Sequence, residues 1–121
     1  MSEVRVFPGL DSVVSVRTLV SAGGGQYTVV CTSSVPAGKL WVLLNLAAQN
    51  ANRATDIMHY TQTGSTIVGL NSGNAAANRF LTWTGHVFLL PLTQIKSIIF
   101  TTTAGDTVIQ DLYAIEIPLP Y

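Results

Sequence analysis

Charge is what this sequence has least of. Six acidic and six basic residues make up 10% of its 121 positions, where a soluble domain usually carries about 25%. The formal net charge is zero, although a free monomer normally stays soluble by holding its charge away from zero. The polar surface must therefore be built from Ser, Thr, Asn and Gln. Charge is depleted at the core of protein interfaces, so this composition predicts a chain whose outside meets other protein. The bases Arg5, Arg17, Lys39, Arg53, Arg79 and Lys96 are scattered along the chain. No cluster can neutralise a run of phosphates, which argues against nucleic acid as a partner.

Cysteine is nearly absent too. Cys31 stands alone, so no internal disulfide and no Cys-x-x-Cys metal or redox pair is expected. It sits in an apolar alternation and reads as a small core residue. The stretch Met1-Ser2-Glu3-Val4-Arg5 lacks the apolar region of a signal peptide. The longest strictly apolar run, Leu40 to Leu44, is far short of a membrane span. Synthesis in a reducing host cytoplasm, with no membrane partner, is the expectation.

Catalytic signals are missing as well. Asp56 and His59 are three apart, which places them on opposite faces of a strand. His59 shares a face with Ile57 and is expected to be a partly buried, hydrogen-bonded histidine. His86 follows Gly85 with no carboxylate near it in sequence. Gly23-Gly24-Gly25 lacks the Lys-Ser/Thr of a phosphate loop, and no Gly-x-Ser-x-Gly elbow occurs. A non-enzymatic protein without metal or cofactor is predicted.

What is present is a regular succession of short apolar segments cut by turns. Ser12 to Val20 puts Val14, Val16 and Val20 on one face and Ser15 and Arg17 on the other. Tyr27, Val29 and Cys31 share the next face. Pro36-Ala37-Gly38 is a tight turn. Leu40 to Ala48 is apolar on both faces at first, as expected of a strand covered twice, by the core and by something else. Strands follow at Ile57 to Gln62 and Ser65 to Leu70, then a polar loop from Asn71 to Asn78. Phe80 to Trp83 and His86 to Leu90 are two strands or one bent at Gly85. Ile95 to Thr102 and Thr107 to Ile117 read as a hairpin, with Ile109, Tyr113, Ile115 and Ile117 facing inward and Gln110 and Glu116 outward. No segment shows helical spacing. The prediction is an all-β, antiparallel, jelly-roll-like sandwich of about eight strands over 12–117, with an N-terminal arm over 1–11 and a tail over 118–121.

The aromatic residues raise the possibility of sugar stacking. Trp41, in an apolar strand, fits the core better. Trp83, between Thr82 and Thr84, is the expected exposed ring, with Tyr60 a second candidate.

Two stretches resemble a pattern of small bacteriophage virion proteins: Val35-Pro36-Ala37-Gly38-Lys39-Leu40-Trp41, and Thr103-Ala104-Gly105-Asp106-Thr107 with its closing strand. An "LPAG" turn usually lies between them; Leu89-Leu90-Pro91-Leu92-Thr93 departs from it by lacking the glycine. The resemblance covers Val35 to Ile117. It implies a jelly-roll domain that trimerises on a virion, either as a decoration (cement) protein on the capsid exterior or at a tail or fibre tip as a receptor- or carbohydrate-binding module. The absence of a coiled-coil or repeat segment favours decoration, with the protein itself and the major capsid protein as partners. Val4, Val6, Phe7, Pro8 and Trp41 are the interface candidates, the first four as an anchoring arm that adds to a neighbour's sheet edge.

Overall fold

The computed structural model describes residues 13–119, and these form eight β-strands in two four-stranded antiparallel sheets. In chain order they are β1 (Val13–Ser21), β2 (Gly25–Val30), β3 (Lys39–Asn50), β4 (Thr55–Thr63), β5 (Thr66–Ala75), β6 (Leu81–Leu89), β7 (Gln94–Thr102) and β8 (Thr107–Pro118). One sheet has the order β1-β8-β3-β6 and the other β2-β7-β4-β5. This is the jelly roll expected from the sequence. Between consecutive strands the chain crosses from sheet to sheet, except at the β4–β5 hairpin. The interface candidates Val4, Val6, Phe7 and Pro8 lie outside the described residues.

The strand positions hold closely, and three local expectations are corrected. First, β7 and β8 are not a hairpin: they lie in opposite sheets. The Thr103–Asp106 turn, with Gly105 at φ 93°, carries the chain across the sandwich. Second, the polar stretch after Leu70 is mostly strand, because β5 continues to Ala75. Its inward positions are small, since a Cβ at Gly73 would stand 3.1 Å from the Leu81 side chain. A strand of this kind has no apolar alternation to announce it. Third, the parity of β8 is reversed. Val108, Gln110, Leu112 and Ala114 are buried, while Tyr113 and Ile117 are exposed. Both parities of β8 are largely apolar. The fold puts the slimmer set inside and leaves the β-branched set facing out.

The core has two apolar clusters. One gathers Cys31, Val35, Trp41, Leu43, Leu46 and Leu112; the other gathers Val29, Ala48, Ile57, Ile99 and Val108. Ser97 and Gln110 fall between the two clusters along their strands and are completely enclosed. Gln110 donates to Ser97 Oγ at 2.8 Å, and Ser97 Oγ meets His59 Nδ1 at 2.8 Å. His59 Nε2 lies 2.9 Å from the Leu81 carbonyl, which can only accept. Nε2 therefore carries the proton, and Nδ1 accepts from Ser97. Burial lowers the His59 pKa, partly offset by the bond to Leu81. His59 is hydrogen-bonded as expected from its place beside Ile57, and it is fully rather than partly buried.

One end of the sandwich is tied by Asp106. Its carboxylate accepts from Arg53 at 2.5 and 3.0 Å, from Asn50 at 2.9 Å and from the Thr103 amide at 2.8 Å. Its carbonyl accepts from the Ala22 amide. The β1–β2, β3–β4 and β7–β8 connections are thus held at one point. Arg53, with Asn50 and the Thr103 amide, holds the Asp106 carboxyl well below the usual carboxylate range, against an opposing effect of burial.

Candidate functional site

The outward face of the β1-β8-β3-β6 sheet carries a band of apolar side chains. Its side chains fall in rows across the strands, fixed by register. Phe88 of β6 pairs with Val42 of β3, Val42 with Ile115 of β8, and Ile115 with Val13 of β1. Leu40 and Ile117 form an adjacent apolar pair. Beyond this band the face turns polar, with the row Thr84, Asn45, Tyr113 and Ser15, then Thr82, Ala47, Asp111 and Arg17. Arg17 clamps Asp111 through two 2.7 Å bonds. One half of the face is thus hydrocarbon; the other is polar around a single ion pair, with the exposed Leu19 paired to Ile109 beyond it.

The apolar band continues round the β6 edge. Phe88, 68% exposed, also lines a groove of about 300 Å³ with Val68, Leu90 and the threonines 61, 63, 66 and 93. Ile67 and Leu92 are exposed as well. Leu92 is the unusual member, because its φ is 70°. Its amide donates to the Val35 carbonyl at 2.7 Å, and Thr93 N closes the turn on Leu90 O. A turn with proline second and a left-handed third residue normally takes glycine there. Leu92 stands where the "LPAG" pattern has alanine and Thr93 where it has glycine, so the left-handed position of this turn is a strained leucine that is 66% exposed.

The aromatic candidates are redistributed. Trp41 is 2% exposed and its indole N–H donates to Glu116 at 3.0 Å, so it is core and offers no contact surface; its neighbours Leu40 and Val42 face out. Trp83 is corrected from exposed to half-buried. It packs against the first core cluster and lies over Gly85, where a Cβ would come within 3.0 Å of the ring. Tyr60 is in the opposite sheet and nearly covered. The structure does not bring Trp83 and Tyr60 together. Phe88, Leu90 and Leu92 were missed by sequence reasoning. Among the described residues, no group of three or more His, Cys, Asp or Glu side chains converges as metal ligands.

No protein-family model matches the chain, and no curated protein matches it significantly. Among solved structures, a virus-like particle of the extra small virus of the giant freshwater prawn Macrobrachium rosenbergii is similar at TM-score 0.50 and 14% identity, over 86% of this chain and 76% of that one. A mutant of a family 29 carbohydrate-binding module is similar at TM-score 0.45 and 11% identity, over 83% of this chain. The chain spans 65% of that module's length. Infectious bursal disease virus, Gt strain, gives TM-score 0.36 and 12% identity, over 88% of this chain and 33% of that one. Of these three, the prawn-virus likeness reaches a shared fold. The finding is one of fold: a jelly-roll sandwich of a kind used in a viral particle.

Proposed function

We propose that this chain is a non-enzymatic structural protein of a virion, a decoration (cement) protein that trimerises on a phage head. The observation that carries the reading is the apolar row Phe88–Val42–Ile115–Val13 on an outward sheet face. A contiguous apolar row rimmed by polar side chains is the kind of patch that marks a protein contact. Covering an aromatic ring as exposed as Phe88 contributes on the order of 2–3 kcal/mol, and in an oligomer each copy repeats that gain. The two virion-like turns support the phage assignment, and the prawn-virus likeness supports the use of this fold in a particle. The N-terminal arm with Val4, Val6, Phe7 and Pro8 is assigned to the capsid side of the contact.

Sedimentation and capsid co-purification test this together. The wild-type chain is expected to sediment as a trimer at micromolar concentration and to bind intact heads. Phe88→Ser combined with Val42→Thr is expected to give a folded monomer. Deleting Met1 to Phe7 is expected to leave the trimer intact and abolish head binding. A wild-type monomer, or a double variant that still trimerises normally, refutes the assembly surface. Head binding that survives the deletion refutes the arm.

A further inference from the structure

We infer that the opposite sheet, β2-β7-β4-β5, carries on its outward face a shallow binding site for a neutral pyranose, built by Asp56, Met58, Ser72, Asn74 and Phe100. This goes beyond the assembly reading and rests on other residues. Those five side chains line one groove of about 410 Å³, within the size range of small-ligand sites, roughly 300–1,000 Å³. Register explains why they meet. Asp56 pairs with Asn74 and Met58 with Ser72 across β4 and β5, while Met58 pairs with Ile98 of β7, two residues before Phe100. Asp56 and Phe100 are exposed here, while Ile57, Ser97 and Ile99 between them are enclosed.

The groove has an apolar side and a polar side. Phe100 is an exposed aromatic ring, and Met58 lies beside it in the lining. The C–H face of a pyranose can pack on such a surface. Asn74 Nδ2 donates to Asp56 Oδ1 at 3.0 Å. That bond holds the two groups side by side and leaves Asp56 Oδ2, Asn74 Oδ1 and the Ser72 hydroxyl to meet vicinal sugar hydroxyls.

The carboxylate is the discriminating observation. Asp106 is held by Arg53, Asp111 by Arg17, and Glu116 accepts from the Trp41 indole. Among the described residues, Asp56 has the Asn74 amide and no cation. In a chain so short of charge, an uncompensated acid beside an open aromatic ring suits hydroxyl donors, whose bonds to a carboxylate are short and strong. The same charge, with no cation in the lining, works against acidic sugars. Since the groove and the apolar row lie on opposite sheets, both can be occupied at once, and an oligomer would present several grooves to one glycan.

Titration of isotope-labelled full-length protein, followed by NMR, tests the site. The probes are methyl α-glucoside, methyl α-mannoside, methyl β-galactoside, linear malto-, cello- and manno-oligosaccharides, and sialyllactose as the acidic comparator. At least one neutral probe is expected to shift the Met58 methyl and the 72–74 and 100 amides saturably at millimolar concentration. Phe100→Ala and Asp56→Asn are each expected to weaken that binding about tenfold, with sialyllactose weaker by a similar factor. Both residues are on the surface, and the two variants check each other if one folds poorly. The site is refuted if no neutral probe saturates, if the shifts map elsewhere, if both variants bind as wild type, or if sialyllactose binds equally well.

Discussion

Two residues set how this sandwich responds to acid. Asp106 is ionised far below its ordinary range, so it contributes stability that is full above about pH 4, its unfolded value, and is lost as pH falls from there through the folded one. His59 is a base with a lowered pKa. The unfolded chain takes up its proton near pH 6.5 while the folded one resists, so stability declines as pH falls below that point. Thermal unfolding from pH 8 to pH 2 should thus lose stability in two separate windows, near 6 and below 4. Asp106→Asn should lower the midpoint at neutral pH and flatten the acid window alone. A single transition carried wholly by the lower window would contradict the role given to His59. Ser97 is the link in the buried chain: Ser97→Ala leaves both His59 Nδ1 and the Gln110 amide without a partner. Urea unfolding should register a loss of about 2–4 kcal/mol, and a loss under about 1 kcal/mol would mean that the network relaxes around the gap.

At the scale of elements, Leu92 separates stability from function. An L-residue with left-handed φ costs about 1–2 kcal/mol, and the hydrogen bonds of the 90–93 turn hold the strain in place. Leu92→Gly is expected to raise the unfolding midpoint slightly, net of glycine's greater unfolded-state freedom, and to weaken self-association. A variant that is both less stable and equally associated would overturn that assignment. The same scale shows what the sequence could reveal. The inward set Val14, Val16, Tyr27, Val29 and Cys31 was legible because Ser15, Arg17, Thr28 and Thr32 mark the opposite parity, although Val13, Leu19 and Val30 interrupt it. The twofold apolar character of Leu40 to Leu44 was legible too, and it is the pattern on which a second covering is proposed. β8 was misread because both of its parities are apolar, and periodicity cannot choose between Ile115 and Ala114 when packing space decides. The β7–β8 turn looked like a hairpin because nothing local records that Asp106 is anchored to Arg53 and Asn50, more than fifty residues away. The candidate assembly surface was legible as composition and β3 patterning, but Phe88 and the Phe100 groove depend on register between distant strands.

For the whole molecule, the apolar row predicts how association responds to salt. Its contacts carry no charge, and the one ion pair of that face lies in its polar half. Raising sodium chloride to about 1 M, where exposed charges are screened within about 3 Å, should leave the oligomer intact, and ammonium sulfate should strengthen it. Dissociation with rising salt, read by sedimentation, would point to electrostatic assembly instead. The row also has a temporal meaning. It draws one residue from each of four strands, and among the described residues the hydrogen-bonded neighbour of β1 is β8, so Arg17 waits for Asp111, 94 positions later. While the chain is being made, Val13 has nothing to lie against and the band does not exist. Pairings this remote in sequence form slowly, so stickiness switches on as the last act of folding. In the proposed assembly, the surface is therefore complete only on a fully folded copy.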